Sequence, residues 1–139
     1  MVGKTKPASK VEKRRMDTIA VACGCLPCLL DFRPDRHATI QHVISGGRRM
    51  GHMATYGACR WHHLADPSWL YYLPDGTRAP HLKEPAYRQR YGTEAELLQI
   101  QDFMLVLYME APWPDWAVPE AVAIDVRGFA AILRPVIID

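Results

Sequence analysis

The sequence predicts a small α+β domain in which short strands are flanked by helices and braced by a bound metal ion. Apolar residues recur at helical spacing after Ser9 and again through 97–105. Residues 38–43 instead alternate and include β-branched side chains, which is typical of a short strand. Two pairs of potential metal ligands, each separated by two residues, indicate the bound metal ion. We therefore expect an N-terminal helix before the strands and C-terminal helices after them.

The first half of the chain divides into a helix and two extended segments. Ser9 is the expected N-cap of an amphipathic helix that ends at Gly24. The strand at 38–43 precedes a glycine-rich loop at 45–49, and a second extended segment is expected near 53–58.

The second half is predicted to be mostly helical. A short helix at 59–65 ends before Pro67, whose ring disfavours helix at the preceding residue, and 66–83 is expected to be a loop. Another helical run begins at Pro85 and ends at Gly92.

The longest predicted helix follows a capping box. Thr93 and Glu96 have the spacing of that motif, so we expect a helix from Glu94 to Met109. The segment 122–133 fits either a hairpin or a short helix, because prolines interrupt the chain before it and Gly128 lies within it.

Length and composition predict one domain. With 139 residues, of which 49% are hydrophobic, the chain can bury one modest core. We expect a basic flexible leader at 1–8, the main domain at 9–109 and an extension of unknown role at 110–139. The apolar stretches fall short of the roughly 20 residues that span a membrane, and the basic N-terminus does not resemble a secretory signal. A cytoplasmic location is expected.

The positive charge of the chain is concentrated near its start. The first fifteen residues carry six basic residues and one acidic residue, although the net charge of the whole chain is only +2. Two interpretations stay open for this segment: a solvated tail, or an arm that contacts phosphates.

Four side chains have the spacing of a zinc site. Cys25 and Cys28 form one half-site, Cys59 and His62 the other, and zinc prefers four tetrahedral sulfur or nitrogen ligands. A disulfide is the alternative, but the absence of an export signal and the matching position of His62 favour a structural zinc ion. Cys23 is interpreted as a small buried residue at the end of the first helix.

The histidines near this zinc site predict a metal-assisted hydrolase. His63 follows His62 directly and points elsewhere on the short helix, while His42 on the strand can face that helix across a cleft. A neutral imidazole can remove a proton from water while a metal ion stabilises the scissile phosphate. His42 suits the base and His63 the metal. A lone histidine is more often a hydrogen-bonded core residue, but His52 and His81 lie in the same region, whereas His37 is assigned to the surface.

The loop after the strand has residues that are suited to binding a phosphodiester. Arg48 and Arg49 follow two glycines, so backbone amides and guanidinium groups can approach a phosphate together. An ordinary glycine turn with solvated arginines is the alternative.

The chain resembles a known family through three motifs in one order. These are Cys25-x2-Cys28, the string from Ile40 to His52 that contains Ser-Gly-Gly-Arg-Arg, and the run from Cys59 to His63. The chain resembles the phage Ref family, the recombination enhancement function proteins, which are RecA-dependent endonucleases of the His-Asn-His (HNH) superfamily. The likeness continues through His81 and 86–94, and covers about residues 10 to 104.

The resemblance implies a ββα-metal (HNH-type) core with a structural zinc knuckle. In such a core His42 is the general base on the first strand, and His63 on the helix binds the catalytic Mg²⁺ or Mn²⁺, with His81 as another candidate ligand. Cys25, Cys28, Cys59 and His62 are the implied zinc ligands.

Two positions depart from the family pattern. Gln41 precedes the base where His or Asp is common, and its neutral carbonyl oxygen should bind a metal more weakly, so that His52 or His81 compensates. The middle asparagine of the superfamily is absent, and Thr55 is the nearest polar substitute for holding the loop.

These observations favour a metal-dependent DNA endonuclease of phage or prophage recombination in a bacterial host cell, with DNA and a RecA-type filament as partners and no membrane. A zinc-braced DNA-binding or recombinase-interacting module with weakened catalysis is the second hypothesis, and a structural zinc protein is the third. The oligomeric state is unknown.

Overall fold

The structure is a computed structural model that describes residues 7–45, 48–64, 66 and 85–134. Helices come first, strands follow and further helices end the described chain, in the order α1 (Lys10–Thr18), a π-helical turn (Ile19–Cys23), α2 (Leu26–Leu30), β1 (Thr39–His42), β2 (Ile44–Ser45), β3 (Arg48–Arg49), β4 (Thr55–Ala58), α3 (Arg60–Leu64), α4 (Pro85–Tyr91), α5 (Glu94–Glu110) and α6 (Glu120–Leu133). The predicted α+β class is confirmed.

The first helix begins and ends where the sequence predicts. Ser9 caps it, and its hydroxyl oxygen accepts the Glu12 amide at 3.2 Å while the Glu12 carboxylate accepts the Ser9 amide at 2.9 Å. The last turn widens into a π-helix, which the sequence pattern did not indicate. Gly24 ends it with φ +74°, and a Cβ there would lie 2.5 Å from the Asp35 carbonyl oxygen. Only glycine fits this position.

The strands form two short antiparallel pairs. β1 pairs with β4 in a register that joins Thr39 to Ala58 and His42 to Thr55. β2 pairs with β3, so the predicted loop at 45–49 is wrong in its extent: Ser45, Arg48 and Arg49 lie in paired strands. The pairing of Ser45 with Arg48 leaves two positions of the predicted loop between the strands.

The helices of the second half also follow the predictions. α3 starts directly after β4, α4 ends at Gly92 with φ +100°, and Thr93 and Glu96 form the capping box of α5. The loop predicted for 66–83 lies outside the described residues except for Asp66.

The C-terminal segment forms a helix rather than a hairpin. α6 packs against α5 through stacked rings of Phe103 and Phe129, 4.4 Å apart, and Arg127 donates to the Leu29 carbonyl oxygen of α2 at 2.9 Å. Trp113 and Val126 are buried in the same core as residues of the π-helical turn, β4 and α5. Residues 111–134 therefore share the hydrophobic core of the preceding elements.

α3 contacts both strands of the β1–β4 pair, and β4 also contacts the π-helical turn, α2 and α5. Among the helices of the described segments, none combines the length and the hydropathy that a bilayer crossing requires.

Candidate functional site

Two short helices bring three cysteines and one histidine to a single point. Cys25 is the N-cap of α2, and its sulfur accepts the Cys28 amide at 3.4 Å, while Cys59 directly precedes α3 and His62 lies on it. The four ligand atoms lie within 4.8 Å of one another, and all four residues are buried. We call this group the Cys3His cluster. No other group of three or more potential ligands occurs in the part of the chain that the structure describes.

The spacing of these atoms fits a tetrahedral metal ion. His62 Nδ1 lies 3.5 Å from the sulfurs of Cys25 and Cys28 and 3.2 Å from that of Cys59. The sulfurs of Cys28 and Cys59 are 3.8 Å apart, which is close to the edge of about 3.8 Å in a tetrahedron with metal–sulfur bonds of about 2.3 Å. All four cysteines of the chain are free. The cluster can therefore hold a metal such as zinc.

Hydrogen bonds on the far side of His62 fix its ring. Nε2 of His62 lies 2.9 Å from the Tyr91 hydroxyl, which in turn donates to the Asp31 carboxylate. Because the Tyr91 proton is used on Asp31, His62 donates from Nε2 and directs the lone pair of Nδ1 to the sulfurs. Arg90 also donates to Asp31, at 2.8 Å.

The thiols of the chain differ in their acidity. Burial raises the pKa of Cys25 well above its usual value, whereas hydrogen bonds from the thiols of Cys25 and Cys28 lower the pKa of Cys59. The cluster thus favours a thiolate, the form that binds metals. Cys23 lies outside it, and burial raises its pKa to about 12, so it remains a neutral core residue as predicted.

His42 and His52 contact each other, and His63 lies within electrostatic range of His42; these three residues are called the histidine group. His42 Nε2 lies 3.1 Å from His52 Nδ1, and the rings meet edge to face. Burial lowers the pKa of His42, and electrostatic interactions with Arg49, His52 and His63 lower it further. A lowered pKa favours the neutral form of the imidazole, which is the form that can accept a proton.

His63 points away from the Cys3His cluster toward β1, as predicted for adjacent helical positions. Its Nδ1 contacts the Thr39 hydroxyl, and that hydroxyl donates to the Ala58 carbonyl oxygen at 3.0 Å. Since the Thr39 proton is used on Ala58, His63 donates from Nδ1, and Nε2 carries the lone pair that a metal could use.

Gln41 and its neighbour His42 lie on opposite faces of β1. Gln41 shares its face with Thr39, which is about 7 Å away along the strand. Its amide nitrogen lies 3.4 Å from Glu94 Oε2, to which the Tyr56 hydroxyl also donates at 3.1 Å. Gln41 Oε1 is buried and has no hydrogen-bond partner among the described residues. A buried oxygen of this kind is suited to a cation.

The turn that carries His52 is held by Thr55 and by an arginine of α1. The Thr55 hydroxyl donates to the His52 carbonyl oxygen at 2.9 Å, the loop-holding role expected for it. Arg15 donates to the hydroxyl oxygen and to the carbonyl oxygen of Thr55 at 3.0 and 2.7 Å, and pairs with Asp102 at 2.7 Å. With 8% of its side chain exposed, Arg15 belongs to the fold rather than to a solvated tail or arm.

The remaining predicted site residues lie around this centre. Arg48 and Arg49 are exposed on β3, and the charge of Arg49 reaches His42. His37 is 59% exposed and contacts Asp35 at 3.2 Å, in agreement with its assignment to the surface. His81 lies outside the described residues.

Sequence reasoning did not identify Glu94, Tyr91 and Arg15. Glu94 was interpreted only as the start of a helix, and Arg15 only as part of a basic segment. Their roles depend on contacts with residues that are distant in sequence, for which a single sequence carries no signal.

Comparison with known proteins gives one match. A family model described as "recombination enhancement, RecA-dependent nuclease" matches residues 8–106. None of the curated proteins and none of the solved structures compared with the chain matches it. The match covers every described residue of the Cys3His cluster and the histidine group, and it ends before α6.

Proposed function

The chain belongs to the recombination-enhancement family of RecA-dependent nucleases, and on that premise we propose that it is a divalent-metal-dependent DNA endonuclease of the HNH type. Its substrate would be DNA paired with a RecA-type filament in phage or prophage recombination. The proposed assignment includes a structural zinc ion in the Cys3His cluster and Mg²⁺ or Mn²⁺ at a separate catalytic site.

The observation that carries this proposal is the contact between His42 and His52, with His63 within electrostatic range of His42. β1, β4 and α3 follow the order of a ββα-metal core, with the candidate base on the first strand and the candidate metal ligand on the helix. One-metal phosphodiester hydrolysis requires a neutral imidazole as the base and a metal ligand close to it. The lowered pKa of His42 and its electrostatic interaction with His63 support these two roles.

His63 and Gln41 are the described residues that fit a catalytic metal. Nε2 of His63 would hold it together with His81, and the buried Oε1 of Gln41, on the face of β1 opposite His42, is the weaker candidate. The bound ion would stabilise the charge on the phosphate and the leaving 3′-oxygen. Glu94, which contacts the Gln41 amide, adds negative charge beside this site.

The chain's own groups would activate the water and hold the substrate. Since Nε2 of His42 is engaged with His52, Nδ1 of His42 is the nitrogen that would accept the proton of the attacking water. The proton on the His42–His52 hydrogen bond could shift toward His52 as His42 becomes charged. Arg48 and Arg49 would neutralise phosphates of the bound strand.

A nicking assay tests this function. The substrates are duplex DNA, single-stranded DNA and RecA-coated displacement loops, each with and without Mg²⁺. We expect His42→Ala and His63→Ala to reduce the rate by at least about 100-fold, since general-base catalysis contributes 10²–10⁴-fold. Met109→Ala, at a 78% exposed position of α5 outside every proposed site, is the control. Unchanged cleavage by His42→Ala would disprove the assignment of the base.

A second candidate is a DNA-binding or recombinase-interacting module with weakened catalysis. It is favoured by Gln41, a neutral ligand where a charged one is common, and by the single multi-ligand group among the described residues. This candidate predicts salt-sensitive DNA binding without nicking under any metal condition. Metal analysis after dialysis separates the two: a second, weak divalent site that His63→Ala abolishes supports the enzyme.

A further inference from the structure

We propose that a groove beside the histidine group binds the phosphodiester backbone of the DNA strand on one side of the cleaved bond. This inference rests on the proposed nuclease function and adds a second phosphate-binding surface to Arg48 and Arg49. The groove, called here the Arg36 groove, is lined by residues of the π-helical turn, the approach to β1 and the start of α3: Ala20, Arg36, His37, Ala38, Thr39 and Arg60.

The position of the Arg36 groove connects it to the candidate catalytic centre. It is an open cavity of about 420 Å³, large enough for a sugar–phosphate unit. Thr39 forms part of its wall and also contacts the His63 ring. A strand lying in the groove would thus run directly to the proposed metal ligand.

The charges at the Arg36 groove are suited to an anion. Arg36 is exposed, and its guanidinium has no hydrogen bond or ion pair within the described part of the chain. Arg60 is half exposed and keeps an ion pair with Asp66 at 3.3 Å. Asp35, the nearest acid in sequence, is buried, and its carboxylate accepts hydrogen bonds from His37. Arg36 therefore provides this wall with an exposed positive charge that no acid of the described residues pairs with.

Positive charge then lies on both sides of the histidine group. Arg49 acts on His42 from β3, and the Arg36 groove lies near the opposite end of β1. From His37 to His42 the extended chain spans about 17 Å, at roughly 3.3 Å per residue. This equals about five phosphate spacings of one strand along a duplex axis, at roughly 3.4 Å each. The backbone can therefore be held on both sides of the bond that reacts.

A binding titration with Arg36 variants tests the proposal. The probes are a fluorescent single-stranded oligonucleotide and its duplex, titrated at several salt concentrations without added divalent metal. Arg33→Ala is the matched control, because Arg33 is an exposed arginine of the same connection that does not line the Arg36 groove. Arg36→Ala and Arg33→Ala each remove one positive charge from the same connection between α2 and β1.

We expect Arg36→Ala to weaken binding about 3- to 10-fold at low salt. Its slope of log affinity against log salt should fall in magnitude by about 0.7 for the single strand or 0.9 for the duplex. Arg36→Glu should weaken binding further, and Arg33→Ala should change both quantities much less. Equal effects of Arg36→Ala and Arg33→Ala would overturn the groove while leaving the nuclease proposal intact. Failure of the unmodified protein to bind either probe would overturn the nuclease proposal as well.

Discussion

Adjacent histidines at 62 and 63 serve different parts of the molecule. Successive residues of a helix point about 100° apart, so His62 reaches the cysteines while His63 reaches Thr39. The sequence was sufficient to predict this division, because the Cys-x2-His spacing assigns His62 to the zinc site and leaves His63 available for a different role. It could not predict Tyr91 as the partner of His62, since the two residues are 29 positions apart.

The first prediction concerns Tyr91→Phe. The substitution leaves His62 Nε2 and the Asp31 carboxylate without their shared hydroxyl, so metal affinity of the Cys3His cluster should fall about 10- to 100-fold. Competition with a chromogenic chelator measures this. Tyr108→Phe is the control, because its half-buried ring packs on Trp113 away from the cluster. If both variants retain metal equally, the hydroxyl does not orient His62.

The second prediction concerns the pH dependence of cleavage. A base acts in its neutral form, and burial together with the Arg49 charge lowers the pKa of His42 below its usual 6.5. The single-turnover rate should therefore rise with pH and reach its plateau with a midpoint below 6.5. Arg49→Gln removes one of these charges and should move the midpoint upward. A midpoint that stays fixed in Arg49→Gln would show that another group controls the profile.

Among the elements, β1 determines most of the geometry of the site. Thr39 and Gln41 lie on one face and His42 on the other, so a single strand supplies the partner of His63, the orphaned oxygen and the base. The alternating pattern predicted this strand. It did not predict the β2–β3 pair or the contact of α1 with the His52 turn, because both depend on tertiary packing rather than on local periodicity.

The third prediction concerns that contact of α1. Arg15→Ala removes two hydrogen bonds to Thr55 and leaves its carbonyl oxygen without a donor, at a cost of about 1–3 kcal/mol in the free energy of unfolding. The exposed ion pair with Asp102 adds little. Chemical denaturation measures the loss, and the nicking rate should fall because the His52 turn loosens. Arg14→Ala, an exposed neighbour, should leave both unchanged; an equally stable Arg15→Ala would contradict the contact.

At the scale of the whole molecule, the C-terminal segment shares the core of the nuclease-family region. The family match ends at residue 106, and the sequence did not distinguish a hairpin from a helix at 122–133. The structure shows a helix whose Ala123 and Val126 are buried against the preceding elements. Periodicity alone could not decide this, because burial against α5 and α2 selects the helix.

The fourth prediction follows from this shared core. A chain truncated after Ala111 loses the buried side chains of Trp113 and Val126, each worth about 1.5–3 kcal/mol or more, and should lose its cooperative thermal transition. Circular dichroism against temperature tests this. Ile132→Ala in the full chain, at a position 78% exposed, should change the stability by less than about 0.5 kcal/mol. A truncated chain that melts at the original temperature would make 112–139 a separable extension.

The placement of both histidines on one short helix also limits how the length of the segment can change. Inserting or deleting one residue between Cys59 and His63 would rotate His63 by about 100° and would at the same time break the Cys-x2-His spacing. The Cys3His cluster and the contact of His63 with Thr39 would be lost together. We therefore expect the length of this stretch to be fixed, whereas a substitution at the exposed Arg60 changes neither the Cys-x2-His spacing nor the direction of His63.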